Sequence, residues 1–366
     1  MRESPERILA VKLADIGDLL LITPALRALR DAFPAATLDA LVTPRSASAF
    51  ENLETIDNLL QFDKYPFDHP LAALRSGRWD ELVSLARLLR RRRYDTVILF
   101  HHLSLRFGAL KHAALVLATG APHRIGLSSP NGRGWFLTHR VPDLGFGTKH
   151  ELDYWLDLAA AAGAPARSRQ IEIAIGEDDA ATAAALLPPV DRPSIVIHPG
   201  SGGYSLARRW DLEKFARLGD RLRQDWDARL IVVGSQGDGV DELVASWNGD
   251  AINLGGRTTL AQLAAVLAHC DLLIGADSGV LHVASAVGTP TVALFGPTNH
   301  LAWAPALPPD RLIVLRSKIA CSPCAYTMDG LGTPAGCAER TCMTMISVEQ
   351  VLQAARSLLA RHREAH

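Results

Sequence analysis

The sequence has little of several features that mark specialised classes of protein. Its formal net charge is −1 over 366 residues and only 6% of them are aromatic, so it lacks the basic excess of a general nucleic-acid binder. No apolar run reaches the roughly 18–20 residues that span a membrane, because Asp15, Asp18 and Pro24 interrupt the longest early stretch. The N-terminal segment has no uninterrupted apolar core or small-residue cleavage site, so no secretory leader is expected. We expect a cytoplasmic protein that binds no nucleic acid.

The length and rhythm of the chain predict two domains and a final helix. A chain of 366 residues exceeds what one hydrophobic core usually organises. Strand-like and helical patterns alternate in both halves, and a segment rich in proline and charge separates them. We place one domain at residues 1–170, a second at 171–345, and a helix at 346–366 that packs back across both.

Both halves have the pattern of a parallel sheet with helices on its two faces. The apolar runs are continuous rather than alternating, which favours buried parallel strands. In the second half each of four strands ends in a turn of small residues, within segments 194–203, 228–238, 270–279 and 289–298. The predicted fold class is therefore α/β, with a doubly wound, Rossmann-like sheet in each domain. Ligands of such sheets bind beyond the carboxyl ends of the strands.

The segment GADSGVLHVASAVGTPTVALFGPT (275–298) predicts an anion site where a strand gives way to a helix. A helix N-terminus offers unpaired N–H groups and the positive end of its dipole, which suits a diphosphate. Gly279 permits close approach, the Ser278 hydroxyl can donate, and His282 lies one turn further along. The alternative is that Asp277 or Ser278 only caps the helix and that His282 is a core residue.

The segment HPGSGGYSLARRW (198–210) follows another predicted strand. Its glycine loop, including Ser201 and Gly202, is assigned to the same ligand. An arginine at 208 or 209 can offset charge on a departing diphosphate, since a guanidinium matches phosphate oxygens. The alternative is a pair of solvated surface charges.

Asp18 follows the first predicted strand and the turn residue Gly17. A carboxylate at this edge can accept the proton of an attacking hydroxyl, as a general base. The alternative use is a helix N-cap, which is common for aspartate after a strand.

Four of the five cysteines form a C-x2-C-x12-C-x4-C array: Cys321, Cys324, Cys337 and Cys342. This spacing predicts a tetrahedral sulfur site for structural zinc or iron in a long loop after the last strand. Four free thiols are the alternative.

The most basic run comprises Arg87 and Arg90 to Arg93. We interpret it as complementing the dipole of its own helix. Contact with anionic lipid is the alternative.

The ordered set IGDLLLITPAL, HPGS with RRW, DSGVLH and LFGPT resembles the family 9 glycosyltransferases, the ADP-heptose heptosyltransferases of lipopolysaccharide core synthesis. The likeness covers nearly the whole chain. It implies a GT-B fold, in which two domains face a central cleft with the acceptor on the first and the nucleotide-sugar on the second. It also implies an inverting displacement that needs no catalytic cofactor or metal.

Carried over by residue, the resemblance implies that Asp18 is the base and that residues 277–279 and His282 bind the diphosphate. Where the family has a lysine, this chain has Arg208, which keeps the charge and changes the shape. Asp238 is then assigned to the ribose. The implied donor is an ADP-sugar, and the implied acceptor is the lipopolysaccharide core, reached through peripheral contact with the inner membrane.

Three alternatives stay open at this point. Some members of the resembled family modify autotransporter proteins and carry a similar cysteine iron site, which makes a protein side chain a second acceptor class. A GT-B sugar-nucleotide epimerase and a non-enzymatic nucleotide-sugar binding protein are the others. A nicotinamide dehydrogenase is disfavoured, because no G-x-G-x-x-G follows the first strand.

Overall fold

The structure is a computed structural model that describes residues 4–68, 77–129, 131–202, 205–248, 250–327, 330–333 and 335–364. The chain divides into two compact units, residues 1–145 with 151–174, and residues 146–150 with 175–366. The first unit thus extends past the predicted boundary at residue 170. Residue 203 of the predicted glycine loop and residues 365–366 of the predicted final helix lie outside the described part.

The first unit is a parallel sheet with helices between its strands. The strands are β1 (Arg7–Lys12), β2 (Thr37–Val42), β3 (Asn58–Gln61), β4 (Thr96–Leu99), β5 (His123–Ser128) and β6 (His139–Pro142). The helices are α1 (Ile16–Leu20), α2 (Thr23–Ala32), α3 (Trp79–Arg91), α4 (Arg106–Thr119) and α5 (Glu151–Ala161). The strand order is β3-β2-β1-β4-β5-β6. Leucines of α3 and small residues of α4 pack with β1 and β4 in one core.

The second unit repeats this arrangement. Its strands are β7 (Ser194–His198), β8 (Arg229–Val232), β9 (Ile252–Asn253), β10 (Leu272–Ala276), β11 (Thr291–Phe295) and β12 (Leu312–Arg316), followed by the hairpin β13 (Ala325–Thr327) and β14 (Gly330–Gly332). Its helices are α6 (Glu177–Leu186), α7 (Leu212–Trp226), α8 (Val240–Ser246), α9 (Leu260–Ala268), α10 (Gly279–Val287), α11 (His300–Trp303), α12 (Thr341–Thr344) and α13 (Val348–Glu364). The order of the large sheet is β12-β11-β10-β7-β8-β9.

The predicted α/β class with two doubly wound sheets is confirmed. One expectation was wrong: the segment that carries the four cysteines (321–342) is not a long loop directly after β11, the last strand that the sequence predicts. Strand β12 lies between β11 and this segment, and the hairpin of β13 and β14 lies within it. Helix α13 packs on α7 and on β10 to β12 of the second unit. Its predicted return across both domains stays a prediction.

The two sheets share a strand order in which the direction of winding reverses once. The reversal lies between β1 and β4 in the first unit and between β7 and β10 in the second. Ligands of open parallel sheets bind at such switch points, outside the carboxyl ends of the strands. The residues that follow these four strands are therefore the candidates for function. Every helix in the described ranges is too short or too polar to span a lipid bilayer.

Candidate functional site

The switch point of the second unit places Ser278 and Gly279 at the start of α10. Ser278 is the N-cap residue, yet its side chain makes no capping hydrogen bond. Its hydroxyl is buried and has no hydrogen-bond partner among the described residues. His282 is buried on the same helix, at 4% exposure. A buried donor without a partner is costly, so Ser278 fits a site completed by an anionic ligand better than it fits a cap.

Asp277 is a buried carboxylate that holds an arginine. Its Oδ2 accepts a hydrogen bond from Thr298 Oγ1 at 2.6 Å and lies 3.4 Å from Nη1 of Arg208. Arg208 Nη2 donates to the Ser201 carbonyl at 2.7 Å. A carboxylate would repel a phosphate, so this geometry favours a role for Asp277 in placing the Arg208 guanidinium.

Arg209 and Asp238 are engaged with each other and with their own loops. Arg209 Nη2 donates to Asp238 Oδ1 at 2.7 Å, and Asp238 Oδ2 accepts from the backbone N–H and the hydroxyl of Ser235 at 2.8 and 2.7 Å. Gly200 is needed beside them, since a Cβ there would lie 2.2 Å from Asp238 Cγ. The assignment of Asp238 to a ribose stays a prediction, and the ribose would have to displace one of these partners.

Ser201 and Gly202 form the loop that carries the Arg208 contact. The Ser201 hydroxyl donates to the Ser205 carbonyl at 2.8 Å, which folds the loop back on itself. Gly202 has φ +67°, a conformation that favours glycine, and among the described residues nothing lies within 4 Å of the position of a Cβ.

The segment that carries the four cysteines (321–342) contacts two parts of this site, the residues after β11 and the loop before Arg208. The N–H groups of Cys324 and Ala325 donate to the Pro297 carbonyl at 2.9 Å, next to Thr298. The Ser205 hydroxyl donates to the Ala335 carbonyl at 3.2 Å. The segment therefore bonds the residue before Thr298, pairs with Thr298 itself through Ala325, and contacts the loop that precedes Arg208.

The predicted metal centre is not supported. Within the described residues, no group of three or more His, Cys, Asp or Glu side chains is arranged to hold a metal ion. Cys321 and Cys337 are exposed while Cys342 is buried. Burial, and then the neighbouring cysteines, raise the pKa of the Cys324 and Cys342 thiols.

In the first unit, Asp18 lies in the first turn of α1, and Asp15 occupies the N-cap position. The N-cap alternative for Asp18 is therefore wrong. The Asp18 side chain is 33% exposed and its Oδ1 lies 3.5 Å from Nζ of Lys12, which is 4% exposed. The Lys12 ammonium also lies 4.1 Å from the centroid of the Trp155 ring. A buried cation at the end of β1 thus holds the carboxylate in place.

His101, just beyond β4, fixes the loop that leads to Asp18. Its Nε2 accepts a hydrogen bond of 2.7 Å from the N–H of Leu13. Burial, followed by the charges of His112 and Lys12, lowers the pKa of His101 well below its usual value. The ring is therefore neutral, as an acceptor nitrogen requires.

His102 is held between two acidic side chains. Its Nδ1 lies 2.9 Å from Asp143 Oδ2 and its Nε2 lies 3.1 Å from Glu151 Oε2. Burial alone would lower the pKa of His102, but the Glu151 charge and both hydrogen bonds outweigh it and raise the pKa to about 9. An imidazolium therefore ties the start of α5 to the segment after β6.

Sequence reasoning missed Lys12, His101 and His102. Two signals could have found them. Lys12 is the single charge inside the apolar run ILAVKL, and the pair His101-His102 directly follows the apolar strand VILF.

Comparison with known proteins identifies the relatives of this chain. The sequence model described as glycosyltransferase family 9 (heptosyltransferase) matches residues 82–332. Among curated proteins, the chain is 23% identical over 357 residues to the lipopolysaccharide core heptosyltransferase OpsX of Haemophilus influenzae, covering 96% of each chain.

Solved structures agree with this likeness. A glycosyl transferase of family 9 from Veillonella parvula superposes with a TM-score of 0.74 at 25% identity, covering 98% of this chain and 99% of that one. The ADP-heptose lipopolysaccharide heptosyltransferase II of Escherichia coli gives a TM-score of 0.72 at 21% identity, with the same coverage.

Proposed function

This chain belongs to glycosyltransferase family 9 and has the GT-B fold, and we propose that it transfers a heptose from an ADP-sugar to a hydroxyl of the lipopolysaccharide core, with inversion. The relatives are lipopolysaccharide heptosyltransferases, which supports the choice of sugar and acceptor. Membership of the family makes the chain a glycosyltransferase, which sets aside the epimerase and the non-enzymatic binding protein.

One observation of the second unit carries the proposal. Three features meet at one switch point: a buried hydroxyl with no partner in the described part of the chain, a helix N-terminus, and an arginine held by a carboxylate. They belong to Ser278, Gly279, Arg208 and Asp277. Oriented donors of this kind bind a diphosphate and stabilise it as it leaves. We therefore assign the donor to this edge, with Ser201, Gly202 and His282 beside it and Asp238 as the ribose candidate.

The proposed reaction needs a base for the acceptor hydroxyl. Asp18 accepts that proton while the oxygen attacks the anomeric carbon from the face opposite the nucleotide. The C–O bond to the diphosphate breaks, and the electron pair leaves with the diphosphate, whose charge Arg208 offsets. The partial exposure of Asp18 and its contact with Lys12 support this role. No step of the displacement uses a metal or cofactor.

We further propose that the chain works on the cytoplasmic side of the inner membrane, in peripheral contact with it, because the proposed acceptor is lipid-linked.

A donor-selectivity experiment tests the function. The Tm of the purified chain is measured with ADP, UDP and GDP and with their sugars. Separate samples are incubated with ADP-heptose and core acceptor, and the product is followed by mass spectrometry. A ligand at 100 times its Kd adds about 2.7 kcal/mol of apparent stability, so we expect a clear rise in Tm with ADP species only. Equal shifts with UDP or GDP, or no acceptor-dependent product, would contradict the proposal.

A further inference from the structure

Helix α4 presents an apolar surface to solvent. Leu110 is 57% exposed and Leu117 44% exposed, and Ala114 is exposed between them, so the three form a stripe along one flank. Its sequence, RFGALKHAALVLAT, has few polar residues on any side. A helix that is apolar all round is normally buried, so its position at the surface calls for an explanation.

More exposed apolar residues lie at the N-terminal end of this helix. Leu105, the residue before α4, is 59% exposed, and Trp135 is 56% exposed. The loop of Trp135 is held to this end by Arg133, whose guanidinium donates to the carbonyls of Leu103 and Ser104. We call Leu105, Leu110, Ala114, Leu117 and Trp135 the α4 surface.

Exposed arginines lie at the start of α4 and on or just beyond the helix that packs against it. Arg106 begins α4, and the neighbouring helix α3 contributes Arg87 and Arg91, with Arg93 just beyond its end. All four are exposed. None of them pairs with a carboxylate within the described ranges, whereas the nearby Arg92 pairs with Asp39 at 2.7 Å. Arg90 lies over Gly120 at the end of α4, which keeps the two helices together.

We infer that the α4 surface docks on an anionic phospholipid bilayer. Leucine and tryptophan side chains enter the boundary between head groups and acyl chains, and arginines without carboxylate partners bind the lipid phosphates. The inference depends on the proposed function in one respect: the acceptor proposed for the reaction is lipid-linked. It replaces the interpretation of the arginine run as a purely internal complement to a helix dipole.

Vesicle co-sedimentation of the full chain tests this docking. Wild type is expected to bind phosphatidylglycerol-containing vesicles, to bind pure phosphatidylcholine much more weakly, and to dissociate as salt rises. The variants Arg87→Gln and Arg91→Gln are each expected to weaken vesicle binding about fivefold, because each loses one arginine. Leu110→Ser with Leu117→Ser is expected to weaken it at least about tenfold. Matched controls on the second unit are Leu301→Ser, where the leucine is 58% exposed, and Arg361→Gln.

Three results would overturn the inference. The first is that wild type fails to bind anionic vesicles. The second is that the control variants lose as much vesicle binding as the α4 variants. The third is that wild type forms a dimer in sedimentation velocity, which the leucine variants abolish while their vesicle binding stays as in wild type. Turnover on a lipid-free core oligosaccharide, measured in parallel, separates the two proposals. The variants should retain it if docking alone is lost, and wild type should lack it if the proposed function is wrong.

Discussion

The buried imidazolium at His102 makes the stability of the first unit depend on pH. The folded pKa of about 9 lies above the ordinary value of 6.5, and each unit of difference is worth about 1.4 kcal/mol. The charge therefore contributes about 3 kcal/mol, which is fully present below pH 6.5 and is lost as pH rises towards 9. The physical reason is that a neutral ring has one N–H, so one of the two carboxylates then faces a lone pair.

Urea unfolding of wild type and His102→Gln at pH 6.5 and at pH 9.5 measures this contribution. Wild type should exceed the variant in stability at pH 6.5, and the difference should shrink by about 3 kcal/mol at the higher pH. His139→Gln serves as the control, because His139 makes no ion pair with a carboxylate in the described part of the chain. A difference that is the same at both pH values, or a His102 ring that titrates near 6.5 by NMR, would refute the reasoning.

Three further predictions concern the two switch points. Asp277→Asn should lower kcat about tenfold, because it releases Arg208, and it should cause no further loss in an Arg208→Met background. A double-mutant cycle in kcat checks this, and additive losses of the two variants would count against it. Lys12→Met should lower kcat about tenfold by freeing Asp18, with ADP affinity unchanged in calorimetry and with rescue by Lys12→Arg; a loss of ADP binding would contradict it. Ser278→Ala should weaken ADP binding about tenfold, while Tm in the absence of ligand should not fall, because the variant loses a buried hydroxyl that has no partner among the described residues. Unaltered ADP affinity would exclude the hydroxyl from the site.

The fold could be predicted from the sequence wherever strands are buried on both faces. The run SIVIH lies wholly in the core as β7, and LLIGA does so as β10. Their continuous apolar runs therefore predict buried strands. The edge strand β12 is only partly buried along its length, and β9 has two residues. Strands of this kind carry little pattern of their own and depend on the sheet beside them.

The candidate site was predicted in its residue types and only partly in their roles. The position of Ser278 at a helix start follows from the local strand-to-helix pattern. The contacts of Asp277 with Arg208 and Thr298 join residues that follow three different strands, β10, β7 and β11, and no local pattern predicts them. The same limit applies to the pairing of Lys12 with Asp18, because that contact depends on how α1 turns after β1.

The cysteine array shows the limit of spacing as evidence for a metal site, which the described residues do not support. Four thiols within a short segment satisfy the spacing of a metal site, but the packing of Cys342 into the core with Met343 and Ile346 is set by tertiary structure. A ligand set requires all its side chains to point at one centre. The spacing contains no information on that requirement.

The most direct test of the account is Asp18→Asn, measured in transfer and in donor binding together. We expect turnover from ADP-heptose to the core acceptor to fall by about 10²–10⁴-fold, the usual contribution of a general base. ADP affinity should stay as in wild type, because the donor residues belong to the second unit. Unchanged turnover in a folded variant that binds ADP normally would contradict the central claim.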